Sequence, residues 1–477
     1  MSGNEKNTKI FKNASYLTIS RILGDIFTFI LFVVIARVYG TSGLGQYSFA
    51  MGLASFLIVF VDYGLTNYSI KELSKKNAFK GDHYGGILSI RLIMSVFVCL
   101  FLVIILPFIP IDGNKEIILY ISISQVLLII IESLSAILIA RQDLHIVGIM
   151  DFFYKLFSSI AIIIPALLGQ SLIFSLAMLP IAGAIYLLLI FKLVSKKYGR
   201  PNVIASFEYY RNTLKEAFTF AVFILLHKIS TRTDIIIIGI MLNTASVGIY
   251  NGAYRIIFML MLFAYFCELA LMPVATNLYH SSKDELTTLY NNSFSIIMLI
   301  AIPLSAGIWL TSKDIISLIY GNQFIESSII LDILAWLVLL AFIKSIIGVF
   351  LTSCEMQHHR TRGQWVAAIL NVAGTILLIP ILGIIGAAIA TIISEVVLII
   401  INGLNLKQVI GAPRIHKHIF MGSIGSLVFC VIILSIGELP IFITIPLAIL
   451  IYFSVLMIFK DFRKHEYKLI LQFIGRS

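Results

Sequence analysis

Four cations carry most of the chemistry available to this 477-residue chain: Arg21, Lys228, Arg232 and Lys344 each stand inside a long apolar run. An isolated charge at the centre of a membrane helix costs about 2.5–3.5 kcal/mol on insertion scales, so such residues face a partner or a wet cavity. Arg21 and Asp25 lie four residues apart on one helical face, and so do Lys228 and Arg232, whose run also holds His227 and Asp234. Two cations on one face invite an anion. Arginine and lysine donate charge-assisted hydrogen bonds to phosphate oxygens, so the chemistry read here is recognition of a phosphate or pyrophosphate group. The competing reading is interhelical salt bridging that only fixes helix orientation. Asp151 and Lys155 have the same four-residue spacing and read as a self-contained ion pair. Asp25, Arg91, Asp234 and Arg255 form a secondary set at a cavity or gate, with snorkelling to the headgroups as the alternative for Arg91 and Arg255. Glu132, Glu268 and Glu395 are left either to neutralise these cations across helices or to bind a proton or sodium ion. Cys99, Cys267, Cys354 and Cys430 lack metal-ligand spacing, and His358-His359 cannot share one helix face, so no metal site and no cofactor are expected.

The elements that must position these charges are read from composition. Hydrophobic residues make up 59% of the chain and charged residues 12%, against about 45–50% and 25% in soluble domains, and mean hydropathy is +1.01. About 20 apolar residues cross the roughly 30 Å hydrocarbon core as a helix, and the runs here are too long for barrel strands. Spans are expected at 13–38, 43–63, 87–110, 117–140, 146–168, 171–194, 217–242, 249–275, 293–311, 328–352, 364–382, 384–404, 418–437 and 440–459. The fold class is therefore an all-α polytopic membrane protein with about 14 transmembrane helices. Alternate gaps collect the lysines and arginines, among them Lys71, Lys75, Lys76, Lys80, Lys192, Lys196, Lys197 and Arg200, while the opposite gaps hold only Lys115 and Lys313. The positive-inside rule then puts both termini in the cytoplasm. The net charge of +11 reflects this topology and the anionic inner leaflet, and gives no case for nucleic acid.

The organisation reads as duplicated. Gly43-Leu44-Gly45-Gln46-Tyr47-Ser48 after the first span and Ser246-Val247-Gly248-Ile249-Tyr250-Asn251 after the seventh share a small-x-Gly-x-Tyr-polar pattern. Gly148 and Pro165 in the fifth span are echoed at the same interval by Gly363 and Pro380 in the eleventh. Repeats six spans apart imply two parallel, pseudo-symmetric six-helix bundles, residues 1–200 and 201–410, around a midplane site. Two extra spans over 411–460 and an interfacial amphipathic tail over 461–477 follow.

With these features in place, the chain resembles the polysaccharide and oligosaccharide flippases of the MOP superfamily, relatives of the MATE antiporters and lipid II flippases. The resemblance rests on Asn13-Ala14-Ser15-Tyr16-Leu17 leading to Ser20-Arg21, on Ala36-Arg37-Val38-Tyr39-Gly40 through Gly43-Leu44-Gly45-Gln46-Tyr47, on Asp62-Tyr63-Gly64-Leu65, and on Arg232-Thr233-Asp234 through Gly248-Ile249-Tyr250-Asn251. It covers essentially the whole length. It implies a MATE/MOP-like pair of bundles that alternates access and carries a polyprenyl-(pyro)phosphate-linked glycan across the cytoplasmic membrane. The headgroup would meet the basic cavity residues Arg21, Lys228, Arg232 and Lys344. Proton or sodium coupling and glycan polymerase or ligase partners are further expectations. There is no Walker A loop, and flipping needs no covalent chemistry, so an enzyme is not expected.

Three alternatives have distinguishing signatures. A MATE-type drug antiporter would rely on acidic groups such as Asp25, Glu132 or Glu395. A lipid II flippase would share the architecture and differ in the glycan. An integral membrane glycosyltransferase or polymerase needs a sizeable extracytoplasmic loop, and the outer gaps here are short.

Overall fold

The computed structural model describes residues 3–74, 81–201, 206–413, 416–437 and 439–459. The amphipathic tail expected over 461–477 lies outside them. The first helix, α1 (Gly3–Asp62), bends sharply at Gly40, whose φ of 69° and ψ of −167° lie outside helical space. A residue with a Cβ pays steric strain there, which is why the bend falls on glycine. The bend divides α1 into two arms; the second, residues 41–62, is about 33 Å long at 1.5 Å per residue, enough to cross the bilayer. Tyr63 (φ 43°) and Gly64 (φ 76°) then turn the chain through left-handed backbone into the short α2 (Leu65–Leu73). Glycine is required at 64, because a Cβ would stand 2.6 Å from the Ala217 carbonyl oxygen.

Long helices follow: α3 (Gly81–Ile105), α4 (Lys115–Ala140), α5 (Leu144–Leu167), α6 (Leu172–Tyr198), α7 (Phe207–Met241), α8 (Thr244–Ser281) and α9 (Lys283–Leu310). Their starts are built conventionally. Ser171, Ser206 and Ser282 each accept a hydrogen bond from an amide in the first turn of the helix that follows. The short α10 (Ser312–Tyr320) precedes α11 (Ser327–Ser353), α12 (Gln357–Leu382), α13 (Ile384–Ile410), α14 (His416–Ile436) and α15 (Ile441–Leu456). Eleven of the described helices are long and apolar enough to cross a membrane. Counting both arms of α1, and adding the charged α7 and the 16-residue α15, returns the fourteen expected spans.

Side chains such as Phe97, Ile104, Leu188, Leu377, Ile381 and Phe442 are more than half exposed. Water would not tolerate so much exposed apolar surface, whereas lipid tails do. Packing divides the chain into two compact units, residues 1–248 and 249–477, which groups α7 with the first six spans. In the first unit α1 is the spine, lying chiefly against α5 and also against α4, α7 and α3. In the second, α11 is flanked by α9 and α13, α12 pairs with α13, and α14 lies between α9 and α15. With lipid offering no hydrophobic contrast, close packing and hydroxyl bonds hold such helices together. Thus Ser327 donates to the Ile249 carbonyl (2.8 Å) and Ser345 to the Ala264 carbonyl (2.7 Å), tying α11 to α8.

The duplicated features have structural counterparts. Pro165 and Pro380 each sit two residues before the end of their helix, followed by left-handed Gly169 and Gly383. The two pattern glycines make close backbone approaches. A Cβ on Gly45 would lie 1.6 Å from the Thr244 carbonyl oxygen, and one on Gly248 2.0 Å from that of Thr41.

Candidate functional site

The first unit holds a polar network around a fully enclosed arginine. Arg91 of α3 is 0% exposed and Asp62, at the end of α1, is 5% exposed. The Arg91 guanidinium donates through Nη2 to Asp62 Oδ1 and to Thr66 Oγ1 (2.6 Å), and through Nη1 to the Ile129 carbonyl (2.9 Å) and Ser133 Oγ. The left-handed turn at residues 63 and 64 makes this possible, because it folds α2 back so that Asp62 accepts the Thr66 amide (3.1 Å) and hydroxyl (2.6 Å). A buried ion pair is tolerable only when its remaining donors and lone pairs are largely satisfied, and α1, α2, α3 and α4 all contribute here.

Glu132 stands beside Ser133 on α4 but is exposed, with its Oε2 3.5 Å from Thr66 Oγ1. A hydroxyl has one proton and two lone pairs. The Thr66 proton lies closer to Asp62, at 2.6 Å, and one lone pair takes Arg91, so Glu132 at 3.5 Å is the outlying member of the network. Lys228 of α7, half-buried, has Glu132 and Asp62 as acidic neighbours and Arg232 as a cationic one.

A second group joins α1 to α5. Lys155 Nζ bridges Asp25 and Asp151, each at 3.1 Å, and Gly24 gives its stem room, since a Cβ there would lie 2.6 Å from Lys155 Cδ. The local Asp151–Lys155 pair thus gains a third member from another helix. Arg21, one turn before Asp25, is exposed. Arg232 is half-buried and Asp234 buried on α7; the side chain of His227 lies outside those described.

In the second unit two cations have carboxylate partners. Lys344 of α11 meets Glu395 of α13 at 2.7 Å, and Arg360 of α12 meets Glu268 of α8 at 3.0 Å while also donating to Thr352 Oγ1 at 3.1 Å. Arg255 lies over the Phe258 ring, 5.7 Å from its centroid. The structure therefore gathers Arg91, Glu132 and Lys228 into one neighbourhood of the first unit. Asp25 sits with Lys155 and Asp151 against α5, and Lys344, Glu395 and Glu268 form separate pairs in the second unit. Thr66 and Ser133 were not legible as network members, and Asp62 figured only in a motif. The available signal was an acid at a span end followed by Tyr-Gly and, four residues on, a threonine.

Comparison with known proteins adds family and fold. Residues 10–279 match the family described as polysaccharide biosynthesis protein. The probable low-salt glycan biosynthesis flippase Agl15 of Haloferax volcanii is 24% identical over 251 residues, which is 50% of this chain and 53% of that protein. The chain thus matches about half the length of this curated relative. A structure of the lipid II flippase MurJ, inward closed, superposes with a TM-score of 0.78 at 18% identity, over 95% of this chain and 99% of that one. An inward-facing MATE-family multidrug resistance transporter of the MOP superfamily gives 0.64 at 13% identity, over 83% and 98%.

Proposed function

This chain belongs to the polysaccharide biosynthesis protein family, and we propose that it flips a polyprenyl-(pyro)phosphate-linked oligosaccharide or polysaccharide repeat unit from the inner to the outer leaflet of the cytoplasmic membrane. The named activities of Agl15 and MurJ support this reading, and the multi-pass helical fold suits it. A large polar glycan faces a prohibitive desolvation cost in hydrocarbon, which a hydrated path through protein removes. The chain acts as a transporter with no covalent step, with both termini in the cytoplasm as the lysine and arginine asymmetry requires.

The observation that carries the headgroup assignment is the different state of the candidate cations. Lys344 is neutralised by Glu395 at 2.7 Å, whereas Lys228 is half-buried with no carboxylate within ion-pair distance among the described residues, and Arg21 is exposed. Lys228 and Arg21 are therefore the cations available to phosphate oxygens, with Arg232 beside Lys228 adding to the field. The carboxylates divide in the same way. Glu268 and Glu395 are ion-paired, and Glu132 faces Thr66, so Glu132 is the group that takes up the coupling proton.

Translocation of a fluorescent polyprenyl-pyrophosphate oligosaccharide in proteoliposomes tests both assignments. A charge-assisted hydrogen bond is worth about 1.5–3 kcal/mol, so Lys228→Gln should lose roughly 10- to 100-fold in apparent affinity for the substrate. Glu132→Gln should retain substrate binding and lose the dependence of rate on an imposed proton gradient. Wild-type affinity in Lys228→Gln would remove the headgroup role, and gradient-driven rates in Glu132→Gln would remove the coupling role.

A further inference from the structure

A recess of about 830 Å³ opens at one end of the second unit, where α9 runs into α10, α11 begins and α14 gives way to α15. We propose that it is a carbohydrate subsite that receives a sugar of the translocated glycan on the extracytoplasmic side. The proposal rests on the flippase reading and on the orientation that leaves Lys313 outside.

The lining chemistry selects the ligand. Trp309 is 44% exposed on one wall with Lys313 and Asp314 beside it, Ser312 is buried, and Asp332 of α11 is half-buried next to Ser312 and Lys313. Ile433 and Leu434 of α14 stand among the apolar lining. Two other recesses, of about 380 Å³ among α9, α14 and α15 and about 390 Å³ between α5 and α6, have almost wholly apolar linings and suit hydrocarbon chains. A hydrocarbon chain in the α10 recess would strip water from two carboxylates and an ammonium without replacing a single bond. A phosphate would meet two carboxylates against one lysine. A neutral polyol fits both demands, because its hydroxyls donate to Asp314 and Asp332 and accept from Lys313, while its C–H face packs on the flat indole of Trp309. The volume lies within the roughly 300–1,000 Å³ typical of small-molecule sites. Anchoring at the membrane interface accounts for a tryptophan and a lysine here, but not for the two aspartates that share the recess with them.

The chain has three tryptophans, so Trp336→Phe with Trp365→Phe leaves Trp309 as the only indole reporter. The probe is the soluble oligosaccharide released by mild acid from the host's lipid-linked glycans, titrated onto this variant in proteoliposomes whose translocation of the lipid-linked form is measured in parallel. A saturable change in Trp309 emission, weakened at least 10-fold by the isosteric Asp332→Asn and also by the exposed Lys313→Gln, is the expected result. Normal translocation with no saturable change, or a change that follows only the lipid headgroup composition of the vesicle, overturns the subsite and leaves the flippase reading standing. Absent translocation by the wild type overturns both.

Discussion

Arg91 shows what makes a full charge tolerable inside a bilayer: three helical elements besides its own supply the partners of its two Nη atoms. Removing one partner of a buried pair leaves the other uncompensated, at about 3–5 kcal/mol, whereas replacing both by apolar groups is close to neutral. Arg91→Leu should therefore lower the melting temperature of the detergent-solubilised protein markedly, and Asp62→Leu combined with Arg91→Leu should recover most of the loss. A single variant that melts like the wild type would show that the network carries no stability. Lys344 makes the complementary point about reading sequences. No acidic residue stands within one turn of it on its own helix, and its partner, Glu395, is 51 residues away on α13. Local spacing reveals pairs like Asp151 and Lys155, but only folding brings Glu395 to Lys344.

The second arm of α1 approaches the start of α8 so closely that one atom decides the fit. With the Thr244 carbonyl 1.6 Å from where a Cβ would stand, Gly45→Ala should sharply reduce the yield of folded protein, while Gly307→Ala in α9, with nothing within 4 Å, should leave it intact. Equal size-exclusion profiles for the two variants would contradict this geometry. The connection between α4 and α5 holds a pH-dependent clamp. Burial pushes the Asp143 carboxyl up, but hydrogen bonds from Lys197 (2.6 Å) and Tyr198 outweigh it and hold the group below the usual carboxylate range. A depressed carboxylate contributes stability above its unfolded pKa of about 3.9, and that contribution is lost as pH falls through the folded value. Asp143→Asn should then destabilise modestly at neutral pH, by less than about 1 kcal/mol for so exposed a pair, and the difference should vanish in acid. Melting curves at several pH values decide it.

The charge asymmetry across the gaps predicts an orientation for the whole chain. Cysteines placed at Lys115 and Lys313 should react with an impermeant maleimide added outside intact cells, and cysteines at Lys197 and Lys407 only after permeabilisation; the reverse pattern would invert the topology. The two-unit division bears on the proposed flipping of a lipid-linked glycan. Arg91, Glu132, Lys228, Arg21 and Asp25 all belong to residues 1–248, so on the proposed reading headgroup contact and proton uptake reside in one compact unit. The sugar subsite belongs to the other.

Sequence alone determined that the chain spans a membrane about fourteen times, because hydrocarbon admits only long apolar helices, a demand each segment answers by its own composition. It also marked the charges inside the spans, since their cost is local. Tertiary structure decided which charges neutralise one another. Glu395 quenches Lys344, Asp25 shares Lys155, and Asp62, which lies at a span end, becomes the counterion of Arg91, with Thr66 folded back onto both by the left-handed turn at Tyr63 and Gly64. Ion pairing depends on distances between helices tens of residues apart, and no periodicity within a single helix encodes those distances.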